Sequence, residues 1–206
     1  MQRDERAAFL LNLFGPSKWD VWEKLAAQIG ARHEYGGFWS GRDVVIADVG
    51  QWQVVLDVVH RDKHAFTRLR APYVNADGFR FLIFRKHLFS GLADALGFQD
   101  VLIGHREFDE AFIIRGNDES RLRRLFDNPR LRDLLMAQPK VRFQVLDDEG
   151  FFGKRFPQRV DELRFMVPGI IRDIERLKAL YELFSETLHQ LCVIGSAYDD
   201  EPGIKL

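Results

Sequence analysis

One cysteine, Cys192, is all the thiol this chain carries, so no internal disulfide can form and a reducing compartment is expected. It falls on an apolar C-terminal helical stretch, where a packed thiol is a simpler reading than a reactive one. No segment approaches the roughly 20 continuous apolar residues that cross a bilayer. The opening MQRDERAAFLLNLF sets acids beside its arginines and interrupts its apolar stretch at Asn12, which makes a poor secretory signal. The expectation is a soluble, cytoplasmic protein with no membrane partner. Neither sign of charge dominates: 30 basic and 31 acidic residues leave a formal charge of -1, so bulk electrostatics calls for no nucleic-acid partner. A charged partner would have to be recognised by a local patch.

The common chemical signatures are missing too. There is no Gly-x-Ser-x-Gly elbow, no P-loop, no Gly-x-Gly-x-x-Gly and no helical His-Glu-x-x-His. Ser40 before Gly41 and Ser196 after Gly195 read as turn residues, and no cofactor is expected. What is present is a globular balance, 46% hydrophobic and 30% charged, which excludes wholesale disorder. One domain over 1–206 is expected, with a β-rich first half at about 31–86 and an α+β second half at about 97–194.

Ala7, Leu10, Leu11 and Phe14 recur at helical spacing and stop at Gly15-Pro16. Ser17 then caps a second helix whose stripe of Trp22, Leu25, Ala26 and Ile29 ends at Gly30. From Tyr35 the punctuation changes to glycine pairs between Val-, Ile- and Trp-rich segments, an antiparallel meander in which Asp43–Val49 and Gln51–Val59 pair through Gly50. A short helix is expected over His87–Leu96. Strands follow at Val101–Ile103 and Phe108–Ile114, then a kinked helix capped by Asp118 and broken at Asn128-Pro129. Val141–Leu146 and Glu162–Val167 read as strands. A last helix from about Gly169 to Ile194 carries the stripe Ile170, Ile174, Leu177, Tyr181, Phe184, Leu188 and Leu191. The fold class is α+β, with mostly antiparallel sheet packed by N-terminal helices, a kinked middle helix and a long C-terminal helix.

The sharpest candidate site is the run Thr67–Arg85. Asn75-Ala76-Asp77-Gly78 is turn chemistry between alternating segments and predicts a hairpin that sets Arg68 opposite Arg85 and Arg70 opposite Ile83. Arg68, Arg70 and Arg85 would then share a cationic rim beside Phe79, Phe81 and Ile83, suited to an acidic small molecule or an acidic protein segment. The alternative is that these arginines pair with acids of the protein.

Weaker candidates surround it. His60, Asp62 and His64 offer imidazole and carboxylate within five residues, a donor set that suits zinc, although Arg61 and Lys63 oppose a cation and a polar turn explains the segment as well. His105 is an isolated loop histidine. Asp147, Asp148 and Glu149, and Asp161-Glu162, are acidic clusters without the ligand spacing of a calcium loop. Arg121, Arg123, Arg124, Arg130 and Arg132 lie among leucines at amphipathic spacing, as on an exposed helix face paired with carboxylates.

The segments EFDEAFIIRGND, RLFDNPRLRDLLMAQP, DDEGFFGKRFP and VDELRF, followed by a long amphipathic helix, together resemble a bacterial family of proteins of unknown function. The resemblance spans about Arg106 to Leu191, with a weaker match through TRLRAPYVNADGFRF, and implies a strand, helix, strands, helix core. Some members look as if they carry N-terminal membrane segments, which this chain lacks, so no membrane role is carried over. No activity, cofactor or catalytic residue comes with it.

Three classes of function remain. The leading one is a non-enzymatic binding or interaction module that recognises an acidic ligand or partner segment. The second is an enzyme whose site assembles only in three dimensions, with metal dependence through His60, His64 and His105 one form of it. The third is a homo-oligomeric structural subunit joined through Trp19, Trp39 or Trp52.

Overall fold

The structure, a computed structural model, describes residues 16–35, 43–86, 100–147, 156–198, 200 and 202–203. Its order is α1 (Lys18–Ile29), β1 (Arg32–Tyr35), β2 (Asp43–Val49), β3 (Trp52–Arg61), β4 (His64–Val74), β5 (Phe81–Arg85), α2 (Arg106–Ala111), β6 (Phe112–Gly116), α3 (Glu119–Phe126), α4 (Pro129–Met136), β7 (Arg142–Leu146), β8 (Val160–Pro168) and α5 (Ile174–Val193). This is the expected α+β class. The helices expected before Gly15 and over His87–Leu96 lie outside the described residues.

Local chemistry explains most boundaries. The Ser17 hydroxyl accepts from the Asp20 N–H while the Asp20 carboxylate accepts from the Ser17 N–H, and Gly30 closes α1 in the left-handed region at φ 66°. Asp118 caps α3, and Asn128 caps α4 with Pro129 in its first turn, which is the expected kink. The last helix starts later than its stripe suggests, because the Thr67 hydroxyl donates to the Gly169 carbonyl and accepts from the Ile171 N–H, tying 169–171 to β4. Asp173 then caps α5.

Of the strands expected at Val101–Ile103 and Phe108–Ile114, the part from Phe112 to Ile114 forms within β6, and the rest is corrected. Asp109 accepts from the N–H groups of Ile103 and Gly104, and this anchors Arg106–Ala111 as a helix. Phe108 and Phe112, four residues apart, bring their rings to 4.6 Å as the chain passes from helix to strand.

Eight strands form one sheet in the order β1-β2-β3-β4-β8-β7-β5-β6, with every neighbouring pair antiparallel. The hairpin expected over Thr67–Arg85 does not form, since β8 and β7 stand between β4 and β5. The chain does reverse at Asn75–Gly78: the Asn75 side-chain oxygen accepts from the Gly78 N–H, and its amide donates to the Phe79 carbonyl and to Asp161 on β8. The turn residues fixed the reversal, and the linkage to Asp161 holds the exit far enough out to admit two strands.

One face of the sheet carries Leu56, Leu69, Phe165, Phe143, Ile83 and Ile114, which pack in a continuous core with Trp22 of α1, Leu125 of α3, Leu135 of α4 and Phe184 of α5. The Tyr181 hydroxyl crosses from α5 to donate to the Val45 carbonyl at 2.9 Å. The opposite face is read from the alternate residues and holds the charges described next. Gly116 at the end of β6 sits against α3, where an added Cβ would lie 2.8 Å from Leu122 Cδ1 and 3.0 Å from the Arg80 carbonyl oxygen. Gly116→Ala should therefore lower stability by about 1–3 kcal/mol in urea denaturation, as overpacking against backbone does.

Candidate functional site: a charged sheet face beside an apolar pocket

Strand alternation and register fix which side chains meet on the second face. One row across the sheet runs Asp57, Arg68, Met166, with Arg142 and Phe84 continuing it on β7 and β5. The next runs Val55, Arg70, Arg164, Gln144, Leu82. Glu162 flanks Arg164 one step along β8. Asp57, Arg70, Gln144, Glu162 and Arg164 are all buried, so this face is a polar interior and not a solvated surface.

Two acids organise it. Asp57 takes both arms of Arg68, Nε to Oδ1 at 2.8 Å and Nη2 to Oδ2 at 2.5 Å, and lies 3.4 Å from Arg70 Nη2. Glu162, with no exposure at all, accepts from Arg164 and lies 3.9 Å from Arg70 Nη1. Burial pushes the Glu162 carboxyl above its ordinary value, against the pull of Arg164, Arg70 and Arg68. The arginine pair proposed from sequence, Arg68 and Arg70, does share a face, and internal acids answer both.

Arg85 is elsewhere. It projects from the helix side of β5, donates from Nε to the Gln138 carbonyl at 2.7 Å and from Nη2 to the Met136 carbonyl at 2.5 Å, and lies over the Phe112 ring. It thus closes the C-terminal end of α4. The trio is corrected on this point: parity and strand order put Arg85 on the opposite side of the sheet from Arg68 and Arg70.

The histidine candidates also part. Arg61 pairs with His64 and His60 with Ala65 across a two-residue turn in which Asp62 adopts φ 54°. Register therefore sends His60 and His64 to opposite faces, and the polar turn accounts for the segment. His105 Nε2 stands 3.6 Å from Asp127 on the surface. Among the described residues no three His, Cys, Asp or Glu side chains gather in a metal-holding group. Asp161 and Glu162, being consecutive on β8, also point apart. Asp161 binds Arg80 at 2.9 Å on the helix side. Asp148 and Glu149 lie outside the described residues.

The helical arginines meet partners, as their spacing suggested. Arg121 reaches Asp77 at 3.0 Å, Arg123 reaches Glu119 at 2.7 Å, Arg130 reaches Glu182 and Arg132 donates to the Phe126 carbonyl. Of the tryptophans, Trp52 is buried, Trp19 is partly exposed against His33 and Tyr35, and Trp39 lies outside the described residues.

At one end of the second face lies a pocket of about 280 Å³ lined by Arg61, Phe66, Leu82, Phe84, Val141, Arg142, Met166, Val167 and Pro168. Arg142 was not singled out in the sequence, and Arg61 appeared there only as a charge opposing a metal. Arg142 Nε is buried and meets no hydrogen-bond acceptor. Its Nη2 stands 3.4 Å from the Gln144 side-chain oxygen, a long contact. Burial first, then the positive charges of Arg61 and Arg164, hold the Arg142 guanidinium below its ordinary pKa. A cation in that setting gains from any anion brought to it.

Comparison with known proteins adds little to this geometry. No family model matches the chain and no curated protein matches it in sequence, which leaves the resemblance over Arg106 to Leu191 resting on those segments alone. Among solved structures, the crystal structure of the mycobacterial trehalose monomycolate transport factor A, TtfA, is similar at 12% identity, covering 86% of this chain and 93% of that one, with a TM-score of 0.47. No helix among the described residues is long and apolar enough to cross a membrane.

Two variants test the charge network. Asp57→Ala strips a shared acid from two nearly buried guanidiniums and should cost about 3–5 kcal/mol in chemical denaturation. Glu162 has a raised folded pKa, so the folded state holds its proton more tightly than the unfolded state. Its contribution is complete below the unfolded carboxyl pKa of about 4.3 and declines as pH rises toward the folded value. Relative to Glu162→Gln, the native protein should lose stability on going from pH 4 toward neutrality. An opposite slope in paired denaturation curves would contradict the burial argument.

Proposed function

We propose that the protein is a non-enzymatic binding module that recognises an acidic ligand through Arg61 and Arg142 of the second-face pocket. The observation that carries this is Arg142: a half-buried arginine whose enclosed Nε meets no acceptor, beside Arg61 and Arg164, on the lining of an apolar pocket. Native proteins leave few buried donors without partners, so the Arg142 guanidinium on the pocket lining holds hydrogen-bonding capacity for a ligand's acceptor. Arg68 and Arg70 act in the background. Their charges, partly offset by Asp57 and Glu162, keep the field over this face positive.

The chemistry points to binding more than to turnover. A guanidinium holds carboxylate or phosphate well but remains protonated, so Arg61 and Arg142 supply no general base. Among the described lining residues there is no serine, cysteine, histidine or carboxylate to act as nucleophile or base.

Acetate, inorganic phosphate and benzoate, screened by thermal shift, should include at least one that raises Tm, with about 2.7 kcal/mol of added stability at 100 times its dissociation constant. Arg142→Met keeps side-chain length while removing the charge, and should fold with little or no loss of unliganded stability, because replacing a poorly solvated cation by an apolar group is often neutral or better. The anion-dependent gain should vanish in that variant. A gain that persists undiminished would place the anion elsewhere.

A further inference from the structure

The shape and lining of the pocket say what the rest of the ligand is like, an inference that rests on the binding-module reading above. The lining draws on Phe66 of β4, Met166 and Val167 of β8, Arg142 of β7 and Leu82 and Phe84 of β5, four strands adjacent in the sheet. Neighbouring strands are spaced about 4.8 Å apart, so the pocket extends over about 14 Å. A space of 280 Å³ drawn out over that length is narrow. At the roughly 30 Å³ that a water-sized group occupies, it takes about nine non-hydrogen atoms in file.

Its polarity is as restrictive as its shape. Apart from the guanidiniums of Arg61 and Arg142, every described lining side chain is apolar. A sugar, a nucleoside or a peptide would bring hydroxyl or amide groups that lose water on entry and find no partner, a penalty of about 1–3 kcal/mol for each. A ligand body without polar atoms escapes that penalty and gains from contact with Leu82, Phe84 and Met166. Thioether and aromatic side chains adapt well to a flexible chain. Two guanidiniums on an otherwise oily lining, with Arg142 flanked by Met166 and Phe84, call for an amphiphile.

We infer that the ligand is a single-chain acid of about nine non-hydrogen atoms in all, its acid group at Arg61 and Arg142 and its unbranched apolar tail on the apolar lining. Recognition divides accordingly. The guanidiniums select the acid, and the length of the apolar lining selects the tail. Because each buried methylene contributes about 0.8 kcal/mol, affinity should rise about threefold to fourfold per added carbon until the pocket is filled.

Isothermal titration of the full chain with straight-chain carboxylates from butanoate to dodecanoate, below their micellar concentrations, tests this. Affinity should climb to about heptanoate and then level. Decanol, with the tail of decanoate and no acid, should bind at least tenfold more weakly than decanoate. Leu82→Trp fills part of the pocket and should bring the plateau to a shorter chain while butanoate binding persists; Met166→Phe makes the same comparison if the tryptophan variant does not fold. Decanol binding as tightly as decanoate, or affinity still rising at dodecanoate, would overturn the inference. Chain-length-independent binding of acetate or phosphate that Arg142→Met abolishes would overturn it while leaving the acidic-ligand module standing. If no anion binds at all, both readings fall.

Discussion

Asp57 and Glu162 are the two charges on which the second face depends. An antiparallel sheet with helices on one side ordinarily turns its other side to water and reads as polar alternation. Here that other side is polar in sequence yet buried, with Arg70, Arg164 and Gln144 among its interior residues. Burying guanidiniums is tolerable where carboxylates stand within reach, and Asp57 binds Arg68 in the two-armed geometry that suits this pairing best. The balance is incomplete by design of the register. Arg142 lies beyond the reach of either acid's hydrogen bonds, next to Met166 and Phe84, where the face changes from ionic to apolar. The 280 Å³ pocket sits on that boundary.

Strand order is what creates the boundary. β7 and β8 enter the sheet between β4 and β5, so Arg68 and Arg70 of the first half face Arg164 of the second, and Arg142 falls beside Phe84. Had β4 and β5 paired directly, the guanidiniums of Arg68 and Arg85 would have met across one ladder. The inserted pair instead separates them by two strands and a change of face. The network about Asn75, Asp161, Arg80 and Asp147 holds this arrangement on the helix side. Asn75 bonds Asp161 at 2.6 Å, and Arg80 bridges Asp161 and Asp147 at 2.9 and 3.0 Å.

The sequence made legible what local chemistry decides. Ser17 and Gly30 bound a helix, Gly50 joins two strands, Asn128-Pro129 breaks a helix in two, and the α5 stripe is buried from Leu177 to Leu191 as its spacing implied. It also showed that strands alternate: Arg142 and Gln144 interleave with Phe143 and Val145, as Glu162 and Arg164 do with Leu163 and Phe165. That alternation was the available signal for a polar second face. What it lacks is any record of which strand lies beside which. Asn75–Gly78 specifies a reversal, and a reversal is satisfied equally by a tight hairpin or by a return two strands away. Long-range contact between β4 and β8, nearly a hundred residues apart, decides between them.

The same reasoning explains why Arg85 stands apart from Arg68 and Arg70. Arg85 looks like Arg68 and Arg70 in sequence, but a guanidinium that caps the Met136 and Gln138 carbonyls and stacks on Phe112 is already engaged in finishing a helix. Arg142 has no such task. Within one sheet, then, chemically identical side chains divide by their neighbours: some meet acids in the interior, one meets carbonyls and ends a helix, and one is left with a long contact to Gln144 and two like charges. The electrostatic deficit at Arg142 thus follows from register, which sets it beside Arg164 and Gln144 and away from Asp57 and Glu162.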